Sequence, residues 1–314
     1  MPTPAGYHAR PMTSTEPGLE QRLRAAHDCD AWIAVVAKYF DAHGLAFGHG
    51  TDNASDEAFW LLRHLQGWAE VDWRAPPPLD LLPRALAVAE QRVARRKPLA
   101  YLLGEAWFAG LKLIVDERVL VPRSPLAEVI ERGFAPWCAL APGDRVLDIG
   151  TGSGCIAIAV AHHCPDVVVD ATDVSRGALA VAARNVELHG VTARVTLLEA
   201  DLFPAGEQRY RVIVANPPYV PEREAAALPP EYRHEPAIGL ASGPTGFDAA
   251  ERILAGAAER LTADGVLFLE VGAGADAFAA GHRRLPLIAI ELTRGGDGVF
   301  VVTAAEIRDF LRGP

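Results

Sequence analysis

The sequence predicts an α/β fold in which a mostly parallel, seven-stranded sheet follows a small helical bundle, and three observations carry that prediction. After Pro142-Gly143, short β-branched runs alternate with helical stretches, the pattern of parallel strands joined by crossover helices. The last two runs are separated only by Thr293-Arg294-Gly295-Gly296-Asp297-Gly298. That leaves no room for a helix, so those two strands should turn back as an antiparallel hairpin. Before Lys97, apolar residues recur at spacings of three and four, which is the period of a helix and not of a strand.

A chain of 314 residues exceeds what one hydrophobic core usually organises, so one large domain and a smaller one are expected. With 50% hydrophobic and 22% charged residues, the composition is that of a globular protein. No apolar run approaches the roughly 20 residues that span a bilayer, so no membrane association is expected. Residues 1–17 are rich in Pro, Thr and Gly and lack the apolar stretch of a signal peptide, and read as a loose tail. Cys29, Cys138, Cys155 and Cys164 show no CxxC spacing, which suits a reducing, cytoplasmic setting without disulfides. A net charge of −10 argues against stable nucleic-acid binding through a broad basic face and favours a basic protein partner.

Residues 18–98 read as the bundle. Trp32, Val35, Val36, Tyr39 and Phe40 form one helical face. Asn53, three residues before Asp56, is placed to cap a second helix carrying Phe59, Leu62 and Leu65. Pro76-Pro77-Pro78 precedes a third helix through Leu86, Ala89 and Val93, which ends in Arg92, Arg95, Arg96 and Lys97. Those charges suit a helix C-terminus; contact with RNA or an acidic partner is the alternative. Residues 99–134 read as a connecting hairpin and linker, with strands through Trp107–Val115 and Val119–Val121 and a turn near Asp116-Glu117. Residues 135–314 carry the sheet, with strands at Val146–Ile149, Val167–Thr172, Val195–Leu198, Val212–Ala215, Val266–Val271, Leu287–Leu292 and Val299–Val302.

The first of these strands runs into Asp148-Ile149-Gly150-Thr151-Gly152-Ser153-Gly154, and a helix begins at Cys155. Alternate glycines let the chain turn sharply and let a ligand approach the backbone. The loop is GxGxG after an acid, not the GxGxxG of dinucleotide sites. Asp173, ending the second strand, can accept both hydroxyls of a ribose. Asp201, followed by Leu202 after the third strand, can meet an adenine amino group. Acids at successive strand ends beside a glycine loop describe a nucleoside site at the carboxyl edge of the sheet. This pattern resembles class I S-adenosylmethionine methyltransferases, and the reversed final hairpin fits that class better than dehydrogenases. The resemblance implies S-adenosyl-L-methionine as the cofactor, held by Asp148, Gly150, Thr151, Gly152, Ser153, Gly154, Asp173, Asp201, Leu202 and Asn216.

Directly after the fourth strand stands Asn216-Pro217-Pro218-Tyr219. The prolines fix φ and remove two donors, leaving carbonyl oxygens exposed. The Asn216 side-chain oxygen and the Pro217 carbonyl can together accept both hydrogens of one planar –NH2 group, with Tyr219 over its face. Drawing on both N–H bonds favours pyramidalisation and restores electron density to a nitrogen whose lone pair is otherwise delocalised. Catalysis then consists of positioning and electrostatics. Asn216, Pro217 and Tyr219 are the candidate catalytic residues, and Pro218 joins them in binding the acceptor. The chemistry specifies a planar –NH2 acceptor and leaves an amide or an exocyclic adenine amine open.

Glu105-Ala106-Trp107-Phe108, the stretch Val115–Pro125, Asn216-Pro217-Pro218-Tyr219 and Glu231-Tyr232-Arg233-His234-Glu235-Pro236 together resemble the HemK-type protein-glutamine methyltransferases, from about Leu99 to Thr303. Pro122-Arg123-Ser124-Pro125 and Arg233-His234-Glu235-Pro236 are similar to the PrmB branch. That resemblance implies a glutamine of ribosomal large-subunit protein 3 as the acceptor and the bundle as a substrate-docking domain. A peptide release factor is the acceptor of the sibling branch. A nucleic-acid adenine amino-methyltransferase and a non-catalytic cofactor-binding assembly factor are the other readings. His162-His163-Cys164 reads as a helix end, not a metal cluster, because adjacent helical residues point to different faces and a metal would need further ligands. His234 stands open between substrate contact and a structural hydrogen bond, and Cys155 is expected to pack at its helix start.

Overall fold

The computed structural model describes residues 17–68, 70 and 72–313; the expected tail therefore lies, but for Pro17, outside the described residues. Two compact units emerge: one runs to Leu45 and resumes over Asn53–Ala94, and the other comprises Ala46–Asp52 and everything from Arg95 on.

The first unit is helical, with α1 (Leu19–Ala25), α2 (Cys29–Ala42), α3 (Ala54–Leu65) and α4 (Leu82–Arg95). Asp28 caps α2 by accepting from Ala31 N at 2.7 Å. Asn53 caps α3 as its spacing predicts, accepting from Asp56 N at 2.9 Å. Trp32 and Phe40 are buried, and the Trp32 indole N–H donates to the Leu23 carbonyl at 2.8 Å. Several expected core positions differ, and Val35 and Tyr39 are only partly covered. Phe59 is 40% exposed and rests on Trp73 at 5.1 Å, while Ala58, Leu61, Leu62 and Leu65 face inward. On α4 the buried stripe is Leu82, Ala85, Ala89 and Arg92, with Leu86 and Val93 only partly covered. Arg92 can lie in the core because Glu57 is buried opposite it, Nε to Oε1 at 2.5 Å. An ion pair thus replaces the apolar contact that periodicity predicts.

The second unit begins with α5 (Leu99–Leu103) and an antiparallel hairpin of β1 (Glu105–Phe108) and β2 (Leu111–Ile114). Its turn is Ala109-Gly110, both at positive φ (48° and 77°), the geometry that matches strand twist. The expected turn at Asp116-Glu117 also exists, with Val119 N donating to the Asp116 carbonyl at 3.1 Å. It leads out of the hairpin, however, and Val119–Val121 pairs with no strand.

After α6 (Leu126–Glu131) come β3 (Arg145–Ile149), α7 (Cys155–His163), β4 (Val168–Asp173), α8 (Arg176–Leu188), β5 (Val195–Glu199), β6 (Tyr210–Ala215), α9 (Glu222–Ala225), α10 (Asp248–Arg260), β7 (Leu261–Glu270), α11 (Ala275–Gly281), β8 (Ile288–Ala289), β9 (Val299–Thr303) and α12 (Ala304–Leu311). The sheet order is β5-β4-β3-β6-β7-β9-β8, and β9 runs antiparallel to both neighbours. The final hairpin is therefore as the spacing requires, although β8 is far shorter than the expected Leu287–Leu292. Between β5 and β6 the chain crosses without a helix. Successive strand residues feed opposite cores: Val146, Val212, Val214 and Phe268 pack on one face, and Leu147, Ile213, Ala215 and Leu267 on the other. Burial on both faces is why these strands are apolar without alternation.

Candidate active site

Strand order reverses between β3 and β6, and open sheets bind ligands at the carboxyl edge of such a switch. A cleft of about 460 Å³ opens there, a size suited to a small-molecule site. Gly150, Gly152, Asp173, Asp201, Leu202, Asn216 and Pro218 all line it. Residues far apart in the chain are thus brought to one cavity.

The glycine loop is built for this turn. Gly150, Gly152 and Gly154 have φ of 75°, 56° and 83°, a region side chains avoid. A Cβ on Gly154 would also stand 3.2 Å from Ala182 Cβ and from Ile158 Cδ1, so that glycine serves helix packing. Asp148 lies beneath the loop, fully buried. Its Oδ2 accepts from the Thr151 hydroxyl at 2.5 Å and from Ala157 N at 3.1 Å, while Oδ1 has no hydrogen-bond partner. Burial pushes this carboxyl up to about 7, against the opposing pull of those two bonds. Thr151 and Ser153 are buried as well. Asp148, Thr151, Ser153 and Gly154 therefore stand behind the cavity wall. Burial also pushes the Cys155 thiol up to about 12, which leaves it protonated and inert.

Asp173 accepts from Gly152 N at 2.9 Å through Oδ2 and from Ser175 N at 2.8 Å through Oδ1. Each oxygen keeps a lone pair for a ligand hydroxyl. Leu202 has φ of 68°, and the Thr172 hydroxyl donates to its carbonyl at 2.7 Å, fixing the Asp201-Leu202 step at the rim. The Asp201 side chain is 63% exposed and paired with Arg252 at 2.7 Å. Val174 and Ile238 are exposed apolar side chains on the same cleft, and such surface suits a flat aromatic ring. A carboxylate for hydroxyls, apolar flanks for a base and a glycine wall open to close approach are what S-adenosylmethionine requires, so the residues fit that cofactor.

On the acceptor side, Pro217 and Tyr219 do not line the cavity itself. Tyr219 turns toward β7, where its hydroxyl donates to Glu270 Oε1 at 3.3 Å. The ring lies where a Cβ on Gly272 would come within 2.5 Å of it, so Gly272 makes room for the tyrosine. Glu270 is buried and also accepts from the Ser124 hydroxyl at 2.5 Å. Burial raises this carboxyl to about 7, opposed by the bonds from Ser124 and Tyr219 and by the charge of Arg123. The Arg123 guanidinium is held in turn by Glu235, through two bonds of 2.6 and 2.8 Å. Burial and the Glu270 charge raise the Tyr219 phenol above its ordinary range, so it is a hydrogen-bond donor at neutral pH.

Sequence reasoning missed Glu270, although its signal was present: an acid closing an otherwise apolar strand. It also missed Arg118, Ile238 and Ser242, which line the cleft and sit in segments without period, and Arg252, which reaches the cleft from α10. His234 binds the Arg95 carbonyl at 3.0 Å and Glu117 at 3.4 Å, a structural tie. Of the basic run, Arg92 pairs with Glu57, Arg96 with Glu231 at 2.8 Å and Lys97 with Glu117 at 2.9 Å. His163, at the end of α7, binds the Ala109 carbonyl at 3.2 Å.

Residues 138–228 match the family model described as the methyltransferase small domain. The chain is 46% identical over 295 residues to the ribosomal protein uL3 glutamine methyltransferase of Bordetella pertussis, covering 91% of this chain and 97% of that protein. It is 44% identical over 282 residues to the protein of the same name in Neisseria gonorrhoeae, covering 88% and 94%. Among solved structures, the hMettl16 catalytic domain in complex with MAT2A 3′UTR hairpin 6 matches with a TM-score of 0.51 at 15% identity, over 77% of this chain and 92% of that one. That likeness speaks for the class I methyltransferase fold alone.

Proposed function

The chain belongs to the ribosomal protein uL3 glutamine methyltransferases, and from that premise we propose that it transfers a methyl group from S-adenosyl-L-methionine to the side-chain amide nitrogen of a glutamine in ribosomal protein uL3. One observation carries the reading at the level of atoms: Asn216 and Pro218 line the same cleft as Gly150, Gly152 and Asp173. Acceptor loop and cofactor loop therefore serve one cavity.

When bound, the cofactor supplies a methyl group activated by a sulfonium, which needs no metal or covalent nucleophile to leave. Asp173 holds the ribose hydroxyls, and the backbone of Gly150 and Gly152 borders the rest. Asn216 Oδ1 and the Pro217 carbonyl accept the two amide hydrogens, aim the nitrogen into the cleft and favour its pyramidal form; once the nitrogen carries the methyl group, one of those two protons passes to solvent. Tyr219, anchored from behind, covers the amide. Preorganised acceptors of this kind act without reorganisation during transfer. The helical unit serves as the docking element for the substrate protein.

The net charge of −10 favours encounter with a basic ribosomal protein and disfavours an RNA-covered surface. Free uL3 is accordingly the substrate, with a rate that falls as salt rises, and assembled large subunits react poorly. Radiolabelled cofactor is supplied in parallel to purified uL3, a peptide release factor and intact large subunits. Label chiefly on uL3 is expected. Label chiefly on the release factor overturns the choice of protein and leaves the amide chemistry standing.

A further inference from the structure

We propose that Glu270 is a positioning residue for methyl transfer: through Tyr219 it fixes the acceptor loop over the cleft. This rests on the reading of Asn216–Tyr219 as the acceptor loop. In the strand order β3-β6-β7, Glu270 ends β7, and Asn216 follows the last residue of the neighbouring β6. The parallel register sets Ala215 opposite Leu269, so the acid and the acceptor loop leave the sheet side by side.

The contacts are directional. Ser124 Oγ donates to one carboxylate oxygen at 2.5 Å, and Leu126 N donates to that same hydroxyl at 3.2 Å. The serine is thus oriented, and it orients the acid. The other carboxylate oxygen receives the Tyr219 hydroxyl at 3.3 Å. Two glycines crowd the tyrosine further: a Cβ on Gly272 would come within 2.5 Å of its ring, and one on Gly246 within 2.3 Å of its carbonyl oxygen. The ring and the backbone of Tyr219 are each closely confined, and Glu270 supplies the directional contact at the hydroxyl.

A purely structural role explains this arrangement poorly. The charged and titratable groups acting on Glu270 are Arg123 and Tyr219. Arg123 gives its fork to Glu235 instead, at 2.6 and 2.8 Å. Glu270 is therefore a buried acid without a hydrogen-bonded cation, and its burial works against its charge. A neutral residue of the same shape would make a more stable protein. What the carboxylate provides is two acceptor oxygens, one for the anchor and one for the tyrosine.

The test is a double-mutant cycle on the full-length enzyme with Glu270→Gln, Tyr219→Phe and the double variant, reading kcat at saturating cofactor, cofactor affinity and melting temperature. E270Q should lower kcat about tenfold or more, the scale of losing a hydrogen bond to a charged acceptor. Cofactor affinity should stay within about twofold, and the melting temperature at pH 8 should rise by about 2–4 °C. Wild-type kcat should climb through pH 7 as the carboxylate ionises, and E270Q should lack that inflection. In the Y219F background, E270Q should cost nothing more. Should E270Q not fold, Ser124→Ala frees the acid to rotate and runs the same cycle. Unchanged kcat in E270Q, or losses that multiply in the double variant, overturns the proposal. Full activity of Y219F also overturns it, while the acceptor reading stands or falls separately on Asn216→Ala.

Discussion

Replacing Asp173 by alanine tests the cofactor side of the cleft most directly. The carboxylate already accepts one backbone N–H on each oxygen, from Gly152 at 2.9 Å and Ser175 at 2.8 Å. A ribose would add one hydroxyl to each remaining lone pair. A hydrogen bond to a charged group contributes about 1.5–3 kcal/mol, so loss of one raises the cofactor Kd about 10- to 150-fold. Loss of both does not simply double that free energy, because water replaces part of what is removed. Alanine also leaves the N–H groups of Gly152 and Ser175 without their acceptor, and the glycine loop loses a restraint. The expected rise in Kd is therefore at least tenfold and tends to the upper end of about 150-fold. Titration calorimetry with S-adenosylmethionine measures it, with circular dichroism and a melting curve as controls for the fold. Affinity within about twofold of wild type in a folded variant would refute the reasoning, since neither ribose bonds nor loop support could then depend on Asp173.

The remaining predictions concern the acceptor, the helical unit and pH. Asn216→Ala should bind cofactor almost normally yet turn over about 10²- to 10³-fold more slowly, the usual cost of a lost preorganised transition-state contact; single-turnover transfer to uL3 measures it, and near wild-type rates would sink the acceptor mechanism. A chain beginning at Lys97 should still bind cofactor but methylate folded uL3 poorly, and an unchanged Michaelis constant would remove the docking role. Such a chain also loses Ala46, whose N–H donates to Glu231 at 3.0 Å, and His49, which lies 3.6 Å from Glu235, so cofactor affinity is the control for folding. Asp148 and Glu270 are both raised to about 7 by burial, so the folded state keeps protons that the unfolded chain releases near pH 4. Their contribution to stability is therefore greatest at low pH, is lost as pH rises from about 4 to 7, and is flat above, by up to roughly 3–4 kcal/mol each. Melting curves at pH 5.5 and 8 should show a smaller pH dependence in an Asp148→Asn, Glu270→Gln variant than in wild type, and an unaltered difference would contradict this account.

The parts of the molecule legible in sequence are those whose physics is local. Strands buried on both faces are continuous apolar runs, which is how Val146–Ile149 and Val212–Ala215 announce themselves. The Asn53 cap depends on a spacing of three. The glycine loop and the Asn216–Tyr219 turn carry their geometry in their own residue types. What stayed hidden depends on partners distant in the chain. Arg92 takes the buried place expected of Val93 because Glu57 lies across the bundle at 2.5 Å. The hairpin turns at Ala109-Gly110 although Ala109 must adopt a φ of 48°, while the nearby Asp116-Glu117 turn carries the stronger local turn signal. Nothing periodic marks Ala46–Asp52 as part of the second unit, because those residues are held by Glu231 and Glu235 far downstream. The wall of the cleft formed by Pro236 to Arg252 lies in loops and helix ends whose placement only the folded sheet determines.

The arrangement of polar side chains at the carboxyl edge then has a common logic. Asp148, Asn216 and Glu270 stand at or just beyond the ends of three adjacent strands, β3, β6 and β7. The outer two are buried carboxyl groups that burial drives toward the neutral form, and the middle one faces the cleft. Each buried acid grips a loop next to the chemistry: Asp148 holds Thr151 and the first turn of α7, and Glu270 holds Ser124 and Tyr219. Apolar residues would pack these positions at less cost, but they offer no acceptor with two fixed directions. An amide nitrogen is a weak nucleophile, so rate depends on holding it at the right distance and angle from the methyl group. Because the sulfonium is already a good leaving group and the methylated amide readily gives up its surplus proton to water, the residues that limit transfer are those that set geometry. On the proposed mechanism, these two buried carboxyl groups give up stability to fix the glycine loop on one side of the cleft and the acceptor loop on the other.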